Sequence, residues 1–151
     1  MNKFEEYNKA KQAAREILNG ITKEDVVGFF QDYLKKNNLH GIAWLQYVPS
    51  FNDGEPCTFR VAGFCEFDKE GLLAYCKENG WDPGLLETNE KKFFHSCSLK
   101  SFAWGEVEAV KEIGGTGWVE PSKDILEQAF GHDQVILITQ TGVYTDYYDN
   151  Y

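Results

Sequence analysis

The chain has 151 residues, 42% hydrophobic and 15% aromatic, which suits a single domain over 1–151 with its own core and excludes a disordered composition. The formal net charge of −9 counts against direct nucleic-acid binding through a basic face and against an anionic membrane surface. No segment reads as a secretory leader or membrane span, so the expected setting is cytoplasmic. Cys57, Cys65, Cys76 and Cys97 form no C-x-x-C pair, and are expected as reduced, mostly buried thiols.

Phe4, Tyr7, Ala10, Ala14, Ile17 and Leu18 fall at helical spacing, and Asn19-Gly20 ends that helix. Thr22 with Asp25 three residues on marks a second helix start. Its stripe is Val26, Phe29, Phe30, Tyr33 and Leu34, and Asn37-Asn38 stops it. From Ile42 the chain alternates: Ile42, Trp44, Gln46 and Val48 point one way, and Ala43, Leu45 and Tyr47 the other. Pro49 closes this strand, Asn52-Asp53-Gly54 turns, and a second strand follows from Cys57, extended past a bulge at Gly63. Asp68 caps a short helix that Asn79-Gly80 ends.

Residues 85–99 fit neither the helical nor the strand period. A helix is expected over Ser101 to Ile113, with Phe102, Val107, Val110 and Ile113 inward. Gly114-Gly115-Thr116-Gly117 breaks it as a flexible loop; it lacks the Lys-Ser/Thr and the preceding strand of a phosphate cradle. Pro121 and Ser122 start a last helix, Lys123 to Phe130, capped by Gly131. Val135–Thr139 and Val143–Tyr147 form a second hairpin around Thr141-Gly142. The expected class is α+β: two β-hairpins, about 41–67 and 134–148, in one mainly antiparallel sheet packed on one face by several helices.

Few residues carry a chemical pattern. His95-Ser96-Cys97 is adjacent in sequence, but a nucleophile needs a base that a third group orients, and adjacency does not supply this. His40 looks exposed, and His132 sits past a helix C-terminus, where a cation is stabilised anyway. Asp53 and Glu55 share a loop without EF-hand spacing, so no metal site and no cofactor is expected. The subset that reads as a ligand or partner surface is Tyr47, Asn52, Asp53 and Glu55. A strand-end phenol, a turn amide and two carboxylates can hydrogen-bond a small ligand or a backbone. Trp44 is expected inward and Tyr47 outward.

The run Trp44-x-Gln46-Tyr47-x-Pro49-x-Phe51-Asn52-Asp53-Gly54-Glu55-x-Cys57-x-Phe59 resembles a motif in a family of short proteins encoded by tailed bacteriophages. A second similar segment spans Leu126 to Tyr148, where the family has Asp before His and this chain reads Phe130-Gly131-His132-Asp133. The resemblance covers roughly a quarter of the chain and brings no activity with it. It implies a phage-like cytoplasmic binding protein acting without catalysis on a host protein or small molecule. Two alternatives stand beside it. One is a small hydrolase or transferase with a His/carboxylate site, using His95 or the Asp53/Glu55 loop. The other is an acidic nucleic-acid mimic.

Overall fold

The computed structural model describes residues 2–49, 54 and 57–148. Among these, seven helices and five strands alternate in blocks. Helices α1 (Lys3–Gly20) and α2 (Lys23–Lys36) lead into β1 (Gly41–Tyr47) and β2 (Arg60–Phe67). Four short helices follow: α3 (Lys69–Asn79), α4 (Pro83–Thr88), α5 (Glu90–Ser96) and α6 (Leu99–Ala103). The two-residue β3 (Lys111–Glu112), α7 (Lys123–Phe130), β4 (Gln134–Thr139) and β5 (Val143–Tyr147) complete the chain.

The strands form one antiparallel sheet in the order β3-β2-β1-β4-β5, so both hairpins share it through the β1–β4 pair. Strand β1 is central and alternates as its sequence predicts. Ile42 and Trp44 pack with Val26, Phe30 and Leu34 of α2 and Leu126 of α7. Ala43 and Leu45 pack on the opposite face with Leu72, Leu86, Phe93, Phe94 and Phe102 of α3 to α6. Helices therefore cover both faces of the sheet, where one covered face was expected. The physical reason lies in β1 and β4: both carry apolar residues at odd and even positions alike, and such a strand needs two cores.

The register along β1–β2 slips between Ala43 and Leu45, next to Gly63. Gly63 has φ +81°, and a Cβ there would meet Ala103 O at 2.5 Å. The bulge changes the parity of β2: Val61 and Phe64 join the α2 face, while Cys65 and Phe67 join the other. Strand β2 starts at Arg60, three residues later than Cys57.

Local signals set most helix ends. Thr22 and Asp25 form a reciprocal capping box. Asp68 and Ser122 accept from Gly71 N and Ile125 N, and Gly80 closes α3 in the left-handed region. The expected helix over 101–113 is absent: α6 ends at Ala103, and Gly105 at φ +73° turns the chain away. Phe102, Val107 and Val110 are buried nonetheless, Phe102 from α6 and the two valines from the turns after it. The Gly114–Gly117 loop is pinned and not loose. Gly114 N donates to Glu66 Oε1 at 2.9 Å, Gly115 N to Tyr33 Oη at 2.8 Å and Thr116 N to Asn37 Oδ1 at 2.7 Å.

Helix α1 stands apart. None of its residues is buried, and Phe4, Tyr7 and Ile17 are 73%, 63% and 68% exposed. Gln128 Nε2 ties its C-terminal end to the body by donating to Leu18 O at 2.5 Å and Ile21 O at 3.0 Å.

Candidate functional site

The antiparallel register brings the start of β1 and the ends of β2 and β4 to one edge of the sheet: Gly41 pairs with both Phe67 and Thr139. Residues 37–40, 68–73 and 139–144 therefore converge there, and α5 begins beside them. Between them lies a cleft of about 770 Å³ whose wall includes Asn37, His40, Asp68, Glu70, Glu90 and Thr141.

Glu90 is the centre of the polar cluster. It opens α5, where a negative charge suits the helix dipole. Its Oε2 accepts from Thr139 Oγ1 at 2.7 Å, Tyr144 Oη at 2.7 Å and Thr141 Oγ1 at 3.2 Å. Its Oε1 lies 2.9 Å from His40 Nε2. Burial by itself raises the Glu90 carboxyl. The contacts from His40, Thr139 and Tyr144 together outweigh it and hold the group down at about 2. The phenol of Tyr144 is pushed well above its ordinary value by burial and by the adjacent Glu90 charge.

His40 Nε2 is shielded from solvent. At 2.9 Å its contact with Glu90 is close enough for an ion pair, yet it lacks the direction of a hydrogen bond, so the ring nitrogen has no aligned partner. The two groups are paired at this distance, and a small rotation of the ring aligns the bond. Phe67 and Phe94 flank the imidazole at 5.9 and 6.5 Å between ring centres. His40 is thus a half-buried, paired residue, contrary to the exposed position its sequence context suggests.

Tyr47, the described member of the surface expected from the sequence, lies at the other end of β1, about 20 Å from Gly41. Tyr47 closes β1 and is half-buried. It turns toward the α3–α6 core and meets Tyr148 edge-on at 5.3 Å, so it does not face outward. Asn52, Asp53 and Glu55 lie outside the described residues. Gly54 is described and has φ +89°, as an Asn-Asp-Gly turn requires. Trp44 is fully buried, as expected. Its Nε1 donates to Gln46 Oε1 at 2.9 Å, and Gln46 Nε2 donates onward to Leu126 O at 2.9 Å and Gly131 O at 2.6 Å. The Trp-x-Gln pair therefore locks β1 to the end of α7.

The other histidines do not build a catalytic pair. His95 is exposed, while Ser96 Oγ and Cys97 Sγ both donate to Phe93 O, at 2.7 and 3.0 Å. Burial pushes the Cys97 thiol up to about 11. His132 pairs with Glu127 on the surface. All four cysteines are free; Cys76 is buried, Cys65 and Cys97 are half-buried and Cys57 is exposed, where the set was expected to be mostly buried. Among the described residues no group of three or more His, Cys, Asp or Glu gathers as a metal site, and no helix is long and apolar enough to cross a membrane.

No protein-family model, curated protein or solved structure matches the chain. The His40–Glu90 cleft is accordingly interpreted from its own residues. Sequence reasoning missed it because its parts are scattered over positions 40, 68–73, 90 and 139–144. The legible signal was Glu90 directly after an N-cap-type Asn89; nothing in sequence spacing ties it to His40.

Proposed function

We propose that the protein is a binding protein that holds a small polar ligand in the His40–Glu90 cleft without converting it. The observation that carries this reading is the cleft itself: the fixed His40–Glu90 pair stands in the wall of a large opening that Asp68 and Glu70 also line. Glu90 is an anchor, since three hydroxyls already fill its Oε2. At the rim, Asp68 and Glu70 add acceptors, while Lys69 leans to Glu87 at 3.7 Å. Three carboxylates, Asp68, Glu70 and Glu90, line the cleft against the single ammonium of Lys69, so the ligand class is a small amine or guanidinium. The resemblance of Trp44–Phe59 to phage-encoded proteins supports a host cell as its source.

A carboxylate beside an imidazole also orients a general base. This favours the hydrolase or transferase reading as the second one, with His40 in place of His95. A thermal-shift panel of amines and guanidines, including spermidine and arginine, tests both. The expected result is a compound that raises the unfolding midpoint, loses this effect in folded His40→Ala and Glu70→Gln variants, and is recovered unchanged by NMR. No shift with any compound, or a shift that survives both variants, overturns the proposal; conversion of the bound compound transfers it to the second reading.

A further inference from the structure

Two walls of the cleft come from chain segments that one loop ties together. The first wall, residues 37–40, is the end of α2. Asn37 is its C-cap and Asn38 takes φ +53°, while Asn38 N and Leu39 N donate back to Lys35 O at 3.3 Å and Leu34 O at 2.9 Å. These bonds around a left-handed residue close the helix. The second wall begins at Asp68, two residues after the buried Glu66 of β2. Residues 114–118 hold both. Asn37 Oδ1 accepts from Thr116 N at 2.7 Å, and Asn37 Nδ2 donates to Thr116 O at 3.1 Å. Gly114 N donates to Glu66 Oε1 at 2.9 Å, and Gly115 N donates to Tyr33 Oη at 2.8 Å, which itself donates to Glu66 Oε2 at 2.6 Å. Trp118 then seats on Tyr33 and Phe64, with ring centres 5.0 and 5.6 Å away. The fit is tight: a Cβ on Gly115 would overlap Tyr33 Oη and come 2.9 Å from Asn37 Cγ.

We infer that residues 114–118 are a clasp that sets the width of the cleft, so that its two walls loosen together when this loop lets go. A loop bonded to one wall alone could open without disturbing the other. Here the bonds are shared among Asn37, Tyr33 and Glu66, and losing one strips partners from the rest. Glu66 makes the unit cooperative, because opening takes from a buried carboxylate the two donors that satisfy it. Such a unit opens locally, below the cost of unfolding the whole sheet. The coupling is a property of the free protein. Its consequence, that a released clasp weakens the hold on a ligand, rests on the reading of the cleft as a binding site.

Amide hydrogen exchange of the free, full-length protein, followed by NMR, tests this. Asn37→Ala removes both bonds to Thr116, Tyr33→Phe removes the phenol between Gly115 and Glu66, and Gly115→Ala wedges the loop away. The two deletions keep the test open if the wedge variant does not fold. In each folded variant, exchange at Leu39 N and at Gly71 N, one on each wall, is expected to rise together by at least about tenfold. Trp81 N and Gly131 N, which donate to Cys76 O and Glu127 O at the ends of α3 and α7, keep their wild-type rates. Unchanged exchange at both walls, a rise at one wall alone, or an equal rise at all four amides overturns the inference. So does an amine that wild type and Tyr33→Phe bind equally tightly. If the exchange is as expected and no amine or guanidine shifts the unfolding midpoint, the binding reading fails and the clasp stands.

Discussion

Three buried polar side chains, Gln46, Glu66 and Thr139, each have their partners, and each joins segments distant in sequence. Glu66 Oε2 accepts from Tyr33 Oη at 2.6 Å, and its Oε1 accepts from Gly114 N. Burial first, and then Glu66, raise the Tyr33 phenol to about 12, so it stays a donor at any ordinary pH. Glu90 is the residue whose charge the fold exploits most openly. Its carboxyl falls from an ordinary 4.5 to about 2, so the ionised form favours the folded state. That contribution is fully present above about pH 4.5 and is lost as the pH falls toward about 2. The urea midpoint of wild type should therefore exceed that of Glu90→Gln by a margin that shrinks through this window. A margin that stays constant down to about pH 2 would show that the Glu90 charge is not what stabilises the α5–β4 contact.

Among the elements, the β1–β2 pair contrasts two glycines with positive φ. Among the described residues nothing lies within 4 Å of where a Cβ on Gly54 would sit, so Gly54→Ala meets the backbone cost of its φ of +89°, about 1 kcal/mol. Gly63 combines φ +81° with a Cβ position 2.5 Å from Ala103 O. Backbone must move there, and Gly63→Ala should cost at least about 2 kcal/mol more than Gly54→Ala. Denaturant midpoints of the two variants decide this; equal losses would mean that α6 yields easily to the bulge. Trp44 and Gln46 join β1 to α7, and Phe59 lies 5.6 Å from the His132 ring. These contacts hold β1 and the end of α7 to each other.

The sheet sits between two helical layers, and each layer has its own fully buried leucine: Leu72 on α3 and Leu126 on α7. Leu72→Ala and Leu126→Ala should each cost about 2–5 kcal/mol. Both should also keep a single transition by tryptophan fluorescence and far-UV circular dichroism, because one sheet ties the layers together. A near-neutral Leu72→Ala would show that the α3–α6 layer is loosely packed and that the α2–α7 face alone sustains the fold.

Sequence alone determined what depends on neighbours a few residues apart. The alternation of β1, the caps at Thr22, Asp68 and Ser122, the left-handed Gly54 and the second hairpin all follow from side-chain period, local hydrogen bonding and backbone sterics. They were legible because those forces act within one turn of chain. Tertiary structure decided what depends on distant segments. Val107 and Val110 kept a helix-like spacing, but Gly105 and the pairing of Lys111–Glu112 with β2 drew them into turns. Gly114–Gly117 lost its freedom to Glu66, Tyr33 and Asn37. The apolar stripe of α1 stayed in solvent although its period matched that of buried α2. Glu90 reached His40 only because three strand ends meet at one sheet edge, and no spacing of residues along the chain encodes a contact made by folding.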